Sequence, residues 1–145
     1  MKTVPVLMAD DDPVDQVLTK EAFEEASAPT PLFFVNDGAE LMKYLRREPP
    51  YTDESRYPVP GLILLDLNMP KKDGRECLAE IRVDPQLRHL PIIVMTTSSR
   101  EEEVFSSYDL GANSYITKPV DFEKLVIQVK ALSAYWCSIV ELPSG

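Results

Sequence analysis

The sequence is poor in the residues that build metal clusters and disulfide scaffolds. It has two cysteines, one histidine and five glycines in 145 residues. Cys77 and Cys137 are too few for a disulfide framework and show no metal-ligand spacing. His89, beside Arg88 in a loop, reads as a surface residue and not a ligand. No apolar run reaches the ~18 residues that a membrane span needs. Met1 to Pro5 carry one lysine and no long apolar stretch, which argues against a signal peptide. Basic residues are outnumbered, with 15 Lys and Arg against 24 Asp and Glu and a formal net charge of -9. Such a chain is a poor candidate for binding a nucleic-acid backbone. Glycine is too scarce for a collagen-like chain, and a 44% hydrophobic content is too high for a disordered one. The expectation is a soluble, cytoplasmic, single-domain protein with a sizeable core and neither nucleic acid nor membrane as partner.

Short apolar runs alternate with helical patterns. Val4 to Ala9 is a compact run that ends in Asp10-Asp11-Asp12. Pro13 suits a first helical turn, and Val14, Val17, Leu18 and Ala22 recur at helical spacing. Leu32 to Val35 reads as a second strand, stopped by Asn36-Asp37-Gly38, and Leu41, Tyr44 and Leu45 mark the next helix. Residues 48–60 carry four prolines and no period, so they read as a loop. Leu62 to Leu65 is a continuous apolar strand ending in Asp66. Gly74 to Ile81 gives a third helix with Cys77, Leu78 and Ile81 on one stripe. Ile92 to Met95 forms the fourth strand, ending at Thr96. A helix with Val104, Phe105 and Tyr108 follows and stops near Gly111. Ser114 to Thr117 is a short fifth strand before Lys118-Pro119. The last helix starts at about Asp121, with Phe122, Leu125, Val126, Val129 and Leu132 facing inward. Strands alternating with helices predict an α/β fold, a parallel sheet covered on both faces by right-handed crossovers.

In such sheets ligands sit beyond the carboxyl ends of the strands, at the switch in strand order. Those ends hold Asp10, Asp11, Asp12, Asp66, Thr96 and Lys118. Two carboxylates ~5 Å apart repel by ~3 kcal/mol at an effective dielectric of 20. A lysine offsets one charge, and a hard divalent cation such as magnesium offsets the rest. A metal beside a carboxylate lets an anionic phosphoryl donor approach and stabilises the transferring group. An aspartyl phosphate is a chemically sensible product of such a site.

The set Asp10-Asp11, Leu64 to Pro70, Asp73-Gly74, Thr96-Thr97 and Tyr115 to Pro119 resembles a response-regulator receiver domain over roughly residues 4–134. The resemblance implies a flavodoxin-like doubly wound sheet of order 2-1-3-4-5 with five helices. It implies that Asp66 is the phosphoacceptor and Asp11 a direct Mg2+ ligand. Asp10 would bind the metal through water or directly, and the Asn68 backbone carbonyl would complete the protein ligands with Asp66. Thr96 would be the switch hydroxyl, Lys118 the phosphate-binding ammonium and Tyr115 the aromatic rotamer switch. The side chains of Asn68 and Ser98 would tune dephosphorylation. Asp12 either faces the site or caps the first helix. A narrower resemblance, to stand-alone regulators of phytochrome-type histidine kinases, rests on the 48–60 loop, Thr96-Thr97-Ser98 and the tail Trp136 to Pro143.

The resulting expectation is a single-domain response regulator, not a conventional enzyme. It takes a phosphoryl group from a sensor histidine kinase and signals to a downstream protein target or phosphotransfer protein. Helix 1 and the loop after strand 5 would dock the kinase. The alternatives are a relay intermediate, a non-phosphorylated scaffold, and a phosphatase of the haloacid-dehalogenase type. The last wants an acid two residues after its nucleophile, where this chain has Asn68. Residues 1–134 would form the receiver and 135–145 an apolar extension of the same domain. Tyr135, Trp136, Ile139, Val140 and Leu142 in that extension must bury themselves on their own domain or on a second copy, and the expectation is a homodimer contact through the tail together with the face of helix 4, strand 5 and helix 5.

Overall fold

Aspartate opens four of the five α-helices, in the computed structural model that describes residues 4–143. Asp12, Asp37, Asp73 and Asp121 accept hydrogen bonds from N–H groups in the first turns of α1 (Pro13–Glu25), α2 (Gly38–Leu45), α3 (Gly74–Val83) and α5 (Phe122–Ala134). The open question about Asp12 is thereby answered: it is exposed and its Oδ1 accepts from Val14 N at 2.9 Å. α4 (Glu101–Asp109) follows Arg100, which makes no side-chain cap, and carries three glutamates in its first turn. Those glutamates still favour the positive end of the helix dipole.

The strands β1 (Val6–Ala9), β2 (Leu32–Val35), β3 (Leu62–Leu65), β4 (Ile92–Thr96) and β5 (Ser114–Thr117) pair in parallel, in the order β2-β1-β3-β4-β5. This is the predicted flavodoxin-like order. Alternation along the strands divides the core. Leu7, Ala9, Ile63, Leu65, Ile92 and Val94 face α2 and α3, whereas Val6, Met8, Leu62, Leu64, Ile93 and Met95 face α1 and α5. A π-helical turn, Tyr135–Ile139, continues α5 and packs Trp136 and Cys137 on the second cluster. Among the described residues no helix is long and apolar enough to cross a membrane. Most of the stretch weighed against a signal peptide lies outside the described residues, as do Ser144 and Gly145 of the predicted extension.

Several details differ from the sequence reading. β1 begins at Val6, because Val4 and Pro5 lie outside the ladder; α3 runs on to Val83; and Thr96 is the last residue of β4. α1 buries Thr19, Ala22 and Phe23, while Val14, Val17 and Leu18 are exposed. Phe105 and Tyr108 of α4 are also exposed, and Phe122 of α5 is exposed instead of facing inward. Helical spacing marks a shared face without saying what covers it.

The 48–60 loop is folded back on α2. The rings of Tyr44, Tyr51 and Tyr57 pack with centroids 5.0–5.9 Å apart, and Tyr44 Oη donates to the Pro58 carbonyl at 2.8 Å. Arg47 lies over the Tyr44 ring and donates to the Tyr57 carbonyl. Tyr51 donates to Glu40.

Candidate functional site

The sheet order brings the ends of β1, β3, β4 and β5 to one place. Asp10 and Thr96 are fully buried there, and Asp66 is 8% exposed. Thr96 Oγ1 donates to Asp66 Oδ1 at 3.0 Å, and the Asn68 N–H donates to the same oxygen at 3.1 Å. Lys118, in the loop after β5, donates to Asp10 Oδ2 at 2.7 Å, Asp15 Oδ2 at 2.7 Å and Asp66 Oδ2 at 3.0 Å. Its backbone N–H is held by the Thr96 carbonyl at 2.7 Å.

The loop from β3 to α3 returns tightly under Asp66. The Gly74 N–H donates to the Leu67 carbonyl at 2.9 Å. A Cβ on Gly74 would lie 2.3 Å from the Asp66 carbonyl oxygen. Only glycine allows this approach, which sets the Asp66 backbone against the start of α3.

Burial dominates the electrostatics of Asp10. It pushes the carboxyl up to about 6, against the opposing hydrogen bonds from Lys118 and the Asp12 N–H. Lys118 behaves in the opposite way. Burial disfavours its charge, but hydrogen bonds to Asp10 and Asp15 and the field of Asp66 outweigh that cost, and the ammonium stays charged above the usual lysine range. Carboxylate oxygens of Asp10, Asp15 and Asp66 lie within 4.8 Å of one another. One ammonium does not balance three carboxylates, and an all-oxygen donor set suits a hard divalent cation.

Most of the expected residues meet here, but not all in the same way. Asp11 is exposed, beside the clustered carboxylates and not among them. Asn68 reaches the site through its N–H, while its side chain is exposed. Tyr115 is half-buried, and its hydroxyl donates to the Ser98 carbonyl at 2.7 Å. Ser98 is half-buried beside it. Asp15 was missed. It is the third residue of a helix capped by Asp12, and side chains there lean back toward the helix start and hence toward the strand ends. An acid at that position, after a strand-end cap, is the signal that could have found it.

Comparison with known proteins gives a consistent picture. The sequence model described as the response regulator receiver domain matches residues 6–130. The response regulator Rcp1 of Synechocystis sp. is 38% identical over 140 residues, 97% of this chain and 93% of that protein. A structure of Rcp1 in its Mn2+-bound form superposes with a TM-score of 0.85. The phosphorylated cyanobacterial phytochrome response regulator RcpA is 44% identical, with a TM-score of 0.88 over 99% of this chain and all of that one. RPA3017, a response regulator in red light signaling of R. palustris, is 33% identical, with a TM-score of 0.93 over 98% of this chain and 99% of that one.

Proposed function

The chain belongs to the response regulator receiver domain family, and from that premise we propose that Asp66 accepts a phosphoryl group from a sensor histidine kinase, possession of which switches a protein-interaction face. The family is a signalling family, not a conventional enzyme family, and it works between a histidine kinase and downstream partners. One observation carries the assignment of Asp66. Of the three clustered carboxylates, Asp66 alone is held at once by a hydroxyl, an ammonium and a backbone N–H.

In the reaction an Asp66 carboxylate oxygen attacks phosphorus. The O–P bond forms as the donor's P–N bond breaks, and the electron pair leaves on the kinase imidazole nitrogen. Lys118 and Thr96 stand ready to bond the phosphoryl oxygens, because both already bond the carboxylate that receives them. A divalent cation, Mg2+ in this reading, would be held by Asp10, Asp11, Asp66 and the Asn68 carbonyl, and would offset negative charge as the anionic donor approaches. The side chains of Asn68 and Ser98 would set the rate of dephosphorylation. Both phosphorylation and its reversal would be catalysed by the chain itself.

The new group adds about -1.5 to -2 charge. Thr96 would turn toward it, and Tyr115 would give up its bond to the Ser98 carbonyl and move inward. The uncapped start of α4 directly follows residues 97–100, the segment that carries Ser98, which supports placing the output face on α4, β5 and α5. The exposed Val14, Val17 and Leu18 of α1 and Val120 after β5 support docking of the kinase there. Likeness to RcpA and Rcp1 supports a phytochrome-type kinase as the partner.

Residues 1–134 are read as the receiver and 135–145 as an extension of the same domain. Trp136 and Cys137 pack on that domain, while Tyr135 and Ile139 remain exposed. The exposed pair supports a homodimer through the tail. Ile139→Asp should halve the sedimenting mass if so, and an unchanged mass would exclude that contact.

The test of the main reading is intact mass after acetyl phosphate and Mg2+. A gain of one phosphoryl unit, removed by hydroxylamine and absent from Asp66→Ala, is expected. No gain in the folded wild-type chain would overturn the phosphoacceptor reading.

A further inference from the structure

We infer that Asp15 is a positioning residue for phosphoryl transfer, which holds the Lys118 ammonium at Asp66 from the first turn of α1. The inference rests on the reading of Asp66 as phosphoacceptor. An ammonium has three N–H donors. Lys118 directs one to each of Asp10, Asp15 and Asp66, so Asp15 completes its set.

The three partners differ in what the reaction asks of them. Asp66 surrenders its bond to Lys118 when its oxygen joins phosphorus, and the ammonium then turns to a phosphoryl oxygen. Asp10 belongs to the carboxylates that would hold a cation. Asp15 lies within 4.8 Å of Asp10 and Asp66, but it is outside the set of Asp10, Asp11, Asp66 and the Asn68 carbonyl proposed for the cation, so it is the one contact that neither event consumes. It also comes from a different element. Asp10 and Asp66 sit on strand ends, whereas Asp15 reaches across from α1, 103 residues away from Lys118 in sequence. Its side chain is 30% exposed, against 10% for Lys118, so it closes the ammonium from the solvent side. A long, flexible lysine held on that side keeps its nitrogen where the phosphoryl oxygens will form, and small misplacements of such a group are costly to rate.

Asparagine at position 15 keeps an acceptor oxygen and loses the charge, whereas alanine loses both. The rate of aspartyl-phosphate formation from acetyl phosphate and Mg2+, followed by intact mass, separates holding from charge. Asp15→Ala should slow it about tenfold, and Asp15→Asn should recover to within about threefold of wild type. In a Lys118→Ala background, Asp15→Ala should have no further effect, because its action passes through the lysine. Thermal melting of each variant reports on the fold. The Lys118 ammonium signal in a 15N spectrum gives a readout independent of phosphoryl uptake: narrow in wild type and Asp15→Asn, broadened by solvent exchange in Asp15→Ala. An Asp15→Ala rate equal to or above wild type overturns the inference, as does an Asp15→Asn rate as low as that of Asp15→Ala. A full slowing that persists without Lys118 overturns it as well. If wild type takes up phosphoryl and Asp15→Ala matches it, the inference about Asp15 alone falls. If wild type takes up none, both readings fall.

Discussion

The two faces of the sheet are finished differently. Under α2 and α3 the core is sealed: Leu41, Tyr44, Cys77, Leu78 and Ile81 are all at or below 1% exposure, and the tyrosines of the 48–60 loop close its edge. Under α1 and α5 the helices bury one stripe and leave apolar residues on the outside. Val14 is 63% exposed, Val17 55% and Ile127 66%, and the tail adds Ile139 at 69%. Apolar groups left in water have a cost, which the α2–α3 face meets only at its end, where Val83 closes α3 at 80% exposure. The contrast teaches that the α2–α3 stripe goes wholly into the core, whereas the α1–α5 face and the tail keep apolar side chains exposed, as the proposed docking and tail contacts require. The charged site lies across the top of both, at the strand ends.

Truncation tests this contrast with the largest expected effect. Leu78→Ala should cost about 2–5 kcal/mol in urea unfolding, and Ile127→Ala should stay within about 0.5 kcal/mol. Equal losses would break the comparison. Gly74→Ala comes next. Its Cβ would sit 2.3 Å from the Asp66 carbonyl, so the loop must shift. A loss of about 1–3 kcal/mol is expected, together with slower phosphoryl uptake; an unaffected variant would show that the approach is not needed. Tyr44→Phe removes the bond to the Pro58 carbonyl and should cost about 1 kcal/mol while leaving phosphoryl uptake unchanged.

The smallest effect distinguishes the two cysteines. Burial pushes the Cys77 thiol up to about 12. An unfolded thiol ionises near ~8.5, so above that pH the unfolded chain releases a proton that the folded chain keeps. The contribution of Cys77 to stability is therefore fully present below ~8.5 and is lost as pH rises toward about 12. Burial raises Cys137 too, but it is only half-buried on the open face. At pH 8 an alkylating reagent should label Cys137 and spare Cys77; equal labelling would contradict a sealed α2–α3 face.

The fold and most of the site were legible because the physics is local. Buried parallel strands demand apolar runs such as Leu62 to Leu65, and the polar residue after each run must lie at the strand end. Asp10, Asp66, Thr96 and Lys118 could thus be placed together without a structure. Asp15 could not, since its reach depends on where α1 starts and how it leans on the sheet. The exposure of Val14 and Val17 was hidden for a related reason: spacing reveals an apolar face but not its cover. The tyrosine cluster of the 48–60 loop has no period at all, and only tertiary packing brings its rings together.

The central claim is that the carboxylate of Asp66 carries the phosphoryl group. Borohydride reduces an acyl phosphate on aspartate to homoserine, which marks the residue covalently. After acetyl phosphate, Mg2+ and borohydride, peptide sequencing by mass spectrometry should find homoserine at position 66. Homoserine at Asp10, Asp11 or Asp15 in its place, or phosphate retained on another side chain with Asp66 unmodified, would contradict the account.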